Sequence, residues 1–283
     1  MGWNSWNHFG CEINENVIKA AADKMVQLGL AELGYKYVNV DDCWAVREGT
    51  LRDEQGNVVV DKTRFPSGIK ALADYVHSKG LLFGIYSDAG EFTCAGQPGS
   101  LGYEEIDAKQ YAAWGVDYLK YDNCYNKGIP AKDRYQRMHD ALNATGRPIF
   151  YSLCNWGEQD TTSWAPKLGN SWRTTDDIRD FWWSMKNNFL QNGEHPEVAA
   201  PGGWNDPDML EIGNGGMTHD EYKQHFALWA VAKAPLIIGA NLLKINEEAL
   251  SIYRNKELIE VNQDRLGVQG TCKMHCNTAH GGP

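Results

Sequence analysis

No apolar run in this chain of 283 residues approaches the roughly 20 residues of a membrane-spanning helix. Basic residues are also scarce. Lys and Arg number 27 against 37 Asp and Glu, leaving a net charge of −10. Non-specific nucleic-acid binding needs a basic stripe, so that class of partner is set aside. The eight His form no H-x-H or H-E-x-x-H pattern, and no C-x-x-C occurs, so metal and cofactor chemistry has no signature here. No G-x-S-x-G elbow presents a nucleophilic serine. No Gly-rich phosphate turn follows the first strand-like run, which speaks against a doubly wound sheet. Residues 1–10 (MGWNSWNHFG) lack the basic start and apolar core of a signal peptide, so the chain is expected to be a mature product or a truncated gene model.

What is present is aromatic and acidic. Eleven Trp and 29 Gly in an acidic chain suit a carbohydrate cleft. The seven Cys are too spread out for a small disulfide scaffold. Cys272 and Cys276 stand near His275 and His280, but no second ligand pair follows to complete a zinc site. The other five allow two disulfides and one leftover, as in an oxidising compartment. Buried free thiols in a cytosolic protein are the alternative. One sequon, Asn143-Ala144-Thr145, is a weak glycosylation signal.

Residues 65–88 show the plan of the chain. Ser67 is a plausible N-cap. Ile69, Leu72, Ala73 and Val76 then repeat with helical spacing, and Gly80 ends the pattern. Leu81 to Tyr86 is apolar on both faces, as in a parallel strand covered by helices. Similar strand-like runs occur at 1–6, 36–41, 81–87, 116–122, 148–153, 170–174, 207–211 and 235–239. Helical patterns lie between them near 15–30, 68–79, 103–114, 131–145, 178–191 and 219–233, with another near 246–254. Thr218 to Glu221 reads as a capping box. Eight strands alternating with helices match a (β/α)8 barrel of the α/β class, whose active site lies at the C-terminal ends of the strands.

Those ends carry carboxylates: Asp41-Asp42, Asp88, Asp122, Asp176-Asp177 and Asp206 with Asp208. Each alone can be a turn or cap residue; together with Trp and Lys they suggest one lined cavity. Lys120 and Asp122 are two apart on a strand and share a face, so the cation is expected to lower the Asp122 pKa, as suits a nucleophile. Arg173 and Asp177 lie four apart across a strand-to-helix turn. Glycoside hydrolysis uses two carboxylates in different environments.

The motifs MGWNSW (1–6), YVNVDDCW (37–44), RFPSGIKALADYVHSKGLLFGIYSDAG (64–90), YLKYDNC (118–124), CNWG (154–157), NSWRTTDDI (170–178), GWNDPDM (203–209) and VNQDRLG (261–267) occur in this order. With them the chain resembles glycoside hydrolase family 27, the α-galactosidases and α-N-acetylgalactosaminidases, in a form more fungal or bacterial than animal. The resemblance implies a catalytic barrel over 1–270 and a retaining hydrolysis of terminal α-galactosides without a cofactor. Asp122 matches the nucleophile and Asp177 the acid/base, with Asp176 as a neighbouring alternative. Asp41 and Asp42 match binders of the 4- and 6-hydroxyls, and Trp6 the wall under the ring. Tyr86, Lys120, Arg173 and Met209 match further pocket positions. Cys154, Asn155 and Trp156 match the loop at the sugar's 2-position. That loop lacks the small residues of the N-acetylgalactosaminidases, so galactose is expected. Cys11–Cys43 and Cys94–Cys124 match family disulfides, which implies a secretory route. The family continues into a C-terminal antiparallel β-domain, whereas 271–283 (TCKMHCNTAHGGP) does not resemble its start. The expectation is therefore an atypical tail and a barrel with an exposed apolar patch. An N-acetylgalactosaminidase and an inactive galactose-binding remnant are the rival readings.

Overall fold

A computed structural model describes residues 1–271 and residue 273. Cys272, Cys276 and the sequence-level zinc alternative lie outside the described residues. Eight parallel strands run in chain order as β1 Gly2–Asn4, β2 Tyr37–Asn39, β3 Leu82–Asp88, β4 Tyr118–Asp122, β5 Phe150–Leu153, β6 Ser171–Arg173, β7 Trp204–Asp206 and β8 Ile237–Ile238. Each pairs with its sequence neighbour from β1 to β7, and β8 pairs with β1. The circle closes at Leu210, whose N–H donates to the Ile237 carbonyl and whose carbonyl accepts from Gly239. This is a (β/α)8 barrel.

Helices cover the outside: α1 Trp6–Phe9, α2 Glu15–Gln27, α3 Ile69–Ser78, α4 Glu104–Trp114, α5 Ala131–Ala144, α6 Thr161–Trp164, α7 Trp182–Asn192, α8 His219–Val231, α9 Glu247–Tyr253 and α10 Lys256–Asn262. Their apolar stripes pack on the sheet. Ile69, Leu72, Ala73 and Val76 of α3 are all buried, as are Tyr222, Phe226, Trp229 and Ala230 of α8. The Thr218–Glu221 capping box closes the start of α8 as its sequence requires. None of the described helices is long and apolar enough to cross a membrane.

Two local expectations need correction. Ser67 does not cap α3: Gly68 occupies that position, and both the N–H and hydroxyl of Ser67 donate to Glu15. The seventh strand lies at 204–206, before the expected 207–211. Pro207 has no N–H to continue a ladder. Asp208 then takes φ 82°, so only Leu210 returns to the sheet. The long 45–65 segment folds on itself through antiparallel bridges Ala45–Val60 and Arg52–Val58. Arg52 also pins it to α4 with a bidentate bond to buried Asp107, at 2.6 and 2.9 Å.

Candidate active site

The barrel register brings the acidic strand ends to one face. In the β3–β4 ladder Tyr86 lies opposite Lys120 and Asp88 opposite Asp122. The Tyr86 hydroxyl donates to Asp122 Oδ2 at 2.8 Å, and the Asn123 N–H donates to Oδ1. Asp122 is buried, and its pKa is pushed up to about 6. Burial is the largest cause; Lys120 and the Tyr86 hydroxyl oppose it, while Asp177 and Asp41 add to it. Lys120 does pull the Asp122 pKa down as expected, but the expected net lowering is overturned. The ammonium is committed elsewhere, to Asp41 Oδ2 at 2.9 Å, and desolvation outweighs its field at Asp122.

Asp41 and Asp42 sit at the end of β2 as expected, both buried. Asp41 accepts from Asn4, Lys120 and the Asp42 N–H. Asp42 accepts from the backbone N–H groups of Cys43 and Ala95, yet burial still raises its pKa to about 6. These bonds fix both carboxylates rigidly under the site.

Arg173, at the end of β6, is the hub on the opposite side. Its guanidinium donates to Asp177 Oδ1 at 3.1 Å, to the Thr175 carbonyl and to the Cys154 sulfur, and it pairs with Asp208 Oδ2 at 3.2 Å. Arg173 is 3% exposed at its side chain and Asp177 65%, so the ion pair joins a buried cation to a carboxylate that reaches water. At Asp177 burial raises the pKa, but Arg173, Lys120 and Arg179 together hold it below the ordinary carboxylate value. Arg173 and the cavity wall distinguish Asp177 from Asp176, which points to solvent and makes neither contact.

A cavity of about 540 Å³ opens in front of Asp177. Trp6, Lys120 and Met209 line it. Cys154, Asn155 and Trp156 do not line this cavity. Cys154 is a buried free thiol against Arg173, and burial pushes its pKa well up. Asn155 turns into its own loop, its amide donating to the Glu158 carbonyl and the Thr161 hydroxyl. Trp156 is half-buried at φ 57° and does not line the cavity. The pairs Cys11–Cys43 and Cys94–Cys124 are both formed. The second binds the loops after β3 and β4 together next to Asp122.

Two residues were passed over as site residues. Asp208 accepts from the Ile178 and Met209 N–H groups while pairing with Arg173. Asp88 is fully buried and accepts from the Gly90 and Cys124 N–H groups, which anchors the disulfide loops behind the Asp122 strand. Both stand in strand-end acidic motifs that were visible in the sequence. The atoms of Asp88, Cys94 and Cys124 lie close enough to suggest a metal cluster, but the two sulfurs are joined to each other.

A family model described as alpha galactosidase A, of the melibiase type, matches residues 1–264. The chain belongs to this family. It is 60% identical over 271 residues to an alpha-galactosidase of Cyamopsis tetragonoloba, covering 95% of this chain and 65% of that one. It is 62% identical over 270 residues to alpha-galactosidase 3 of Arabidopsis thaliana, covering 95% and 61% respectively. The structure of the alpha-galactosidase MEL1 of Saccharomyces cerevisiae superposes with a TM-score of 0.93 at 44% identity, covering 96% of this chain and 65% of that one. This melibiase-family chain thus spans under two thirds of the length of these relatives. Its identity to the two plant proteins exceeds that to the yeast enzyme.

Proposed function

We propose that this chain hydrolyses terminal α-D-galactosides with retention of configuration. The reading is carried by one observation: a buried, hydrogen-bonded Asp122 and an Arg173-bound Asp177 at the C-terminal ends of one barrel. In this account the Asp122 carboxylate attacks the anomeric carbon while Asp177 protonates the departing oxygen. Water, deprotonated by Asp177, then cleaves the galactosyl ester. Tyr86 aims the nucleophile. Trp6, Asp41, Asp42, Lys120, Arg173 and Met209 bind the sugar, with the Cys154 thiol backing Arg173.

The pKa directions add a constraint. The productive state has Asp122 ionised and Asp177 protonated, yet in the free site Asp122 is the more basic group. The pair shares one proton over a window between its two apparent pKa values, and the productive tautomer is the minor one. Activity is thereby expected to fall as pH rises past about 6. Proton cycling follows from the like charge: esterification removes the Asp122 charge, so Asp177 loses a proton more readily when it must act as base.

The two disulfides support a secretory route. The test of function is release of nitrophenol from p-nitrophenyl α-galactoside, with Asp122→Asn as control. A folded wild type without turnover overturns the hydrolase reading, and equal turnover by the variant overturns the nucleophile. Faster cleavage of the α-N-acetylgalactosaminide overturns the preference for galactose.

A further inference from the structure

Both oxygens of the Asp122 carboxylate accept hydrogen bonds, Oδ2 from the Tyr86 hydroxyl and Oδ1 from the Asn123 N–H. The plane of the carboxylate therefore depends on the Asp122–Asn123 peptide as much as on Tyr86. That peptide is itself held. Its carbonyl accepts from the Tyr135 hydroxyl of α5 at 2.9 Å and from the Ala89 N–H at 2.9 Å. The Asn123 side chain is buried and gripped at both ends. Its carbonyl oxygen accepts from the Arg134 guanidinium, and its amide donates to Glu158 Oε2 at 3.2 Å.

Arg134 stands in the first turn of α5 with no exposed surface. Its two hydrogen bonds go to neutral oxygens, those of the Asn123 side chain and the Ile129 carbonyl, and among the described residues Nη1 has no partner. A guanidinium taken out of water is costly unless its charge is answered. The Asn123 amide makes that link, because it accepts from the cation at one end and donates to a carboxylate at the other. Each bond polarises the amide in the sense that strengthens the other. Glu158 is exposed, on the loop between β5 and α6. That loop is braced separately: the Glu158 carbonyl accepts from Asn155 and Thr161, and the Gln159 side chain accepts from the Ala131 N–H at the start of α5. Asn123 is thus where the loop after β4, the loop after β5 and the start of α5 are fixed to one another.

We propose that Arg134 and Glu158, joined through the Asn123 side chain as an amide-bridged ion pair, are positioning residues that set the orientation of the Asp122 carboxylate. The proposal rests on the hydrolysis proposed above, with Asp122 as nucleophile. Arg134 and Glu158 act through Asn123, whose N–H aims Oδ1. Without the bridge the Asp122–Asn123 peptide can tilt and the carboxylate turns about its Tyr86 bond. Such a turn costs rate at the anomeric carbon. It leaves the sugar contacts of Asp41, Lys120 and Arg173 in place, so affinity for the sugar is kept.

The experiment follows the rate of galactosyl-adduct formation from a fluorinated α-galactosyl fluoride, with the inhibition constant of free galactose alongside. The variants are Glu158→Ala, Glu158→Gln, Asn123→Ala and the double variant Asn123→Ala/Glu158→Ala. Glu158 is exposed, so its two variants decide the matter even where Asn123→Ala fails to fold. Glu158→Ala and Asn123→Ala are each expected to slow adduct formation about tenfold, the worth of about one hydrogen bond to a charged group, with galactose inhibition within about twofold of wild type. Glu158→Gln restores an acceptor and is expected to recover the rate to within about threefold of wild type. The double variant is expected to be no slower than Asn123→Ala. An unchanged rate in Glu158→Ala overturns the proposal, as does an equal loss in Glu158→Gln. So does a double variant in which the two losses multiply, or a galactose constant that rises as much as the rate falls. Failure of the hydrolase reading shows separately, in a wild type that forms no adduct and releases no nitrophenol.

Discussion

Replacing Tyr86 by Phe removes one oxygen from a fully buried ring and leaves the packing almost unchanged. That oxygen donates to Asp122 at 2.8 Å and is one of the influences holding the carboxyl pKa down against burial. A hydrogen bond to a charged group contributes about 1.5–3 kcal/mol, and the neutral acid keeps part of it. A net loss of about 1.4 kcal/mol for the ionised form corresponds to about one pKa unit. Asp122 then moves from about 6 to roughly 7. Since Asp122 is the more basic of the pair, its ionisation governs the alkaline limb of kcat/KM for the free protein. Tyr86→Phe is therefore expected to shift that limb upward by about one unit. It also lowers kcat/KM near pH 5 by about tenfold, because the shared proton sits still more on Asp122. The assay is a pH profile of kcat/KM on p-nitrophenyl α-galactoside, with circular dichroism to show an unchanged fold. An alkaline limb that stays in place, or a shift confined to the acidic limb, would refute the assignment of the higher pKa to Asp122.

Other outcomes follow from the same geometry. Asp208→Asn removes the buried anchor of Arg173, so the guanidinium no longer holds Asp177 in a fixed position; kcat is expected to fall more than tenfold with a smaller change in KM, and equal changes in both would contradict a positioning role. Asp42, Asp122 and Glu211 have folded pKa values raised to about 6, 6 and 7, so the folded state binds more protons than the unfolded state between pH about 4 and 6. Stability from these groups is full below their unfolded values and is lost as pH rises through the folded ones. His225, lowered to about 3, works in the opposite direction. Thermal melts should therefore show a lower Tm at pH 7 than at pH 5, and a rise would contradict the burial argument. A Cβ at Gly90 would meet the Cys124 carbonyl oxygen at 1.9 Å, so Gly90→Ala should destabilise by about 2 kcal/mol or more; an unchanged midpoint in a denaturant melt would show that the loop can give way.

Much of the barrel was legible because its signals are local. Helical stripes such as Ile69 to Val76 and the Thr218 capping box depend on spacing that tertiary context left intact. Strand boundaries were less legible where closure rather than propensity decides them. Leu210 joins the sheet only because Pro207 and Asp208 end β7 early. The carboxylates were legible as a group, since strand ends converge in a barrel. Their electrostatics were not. Nothing in the Lys-x-Asp spacing says that the ammonium turns to Asp41, or that burial outweighs its field at Asp122. Asn155 likewise looked like a sugar contact until Thr161, six residues on, took its amide. The roles of Asp88 and Asp208 depend on backbone N–H groups of other loops, which no motif encodes.

The central claim is that Asp122 carries the sugar during the reaction. A fluorinated α-galactosyl fluoride that slows release of the intermediate gives the direct measurement, by mass spectrometry of the intact chain and of its peptides. The account predicts one galactosyl adduct per chain, on the peptide containing Asp122 and absent from Asp122→Asn. An adduct on another residue, or rapid turnover of the normal substrate by Asp122→Asn, would contradict it.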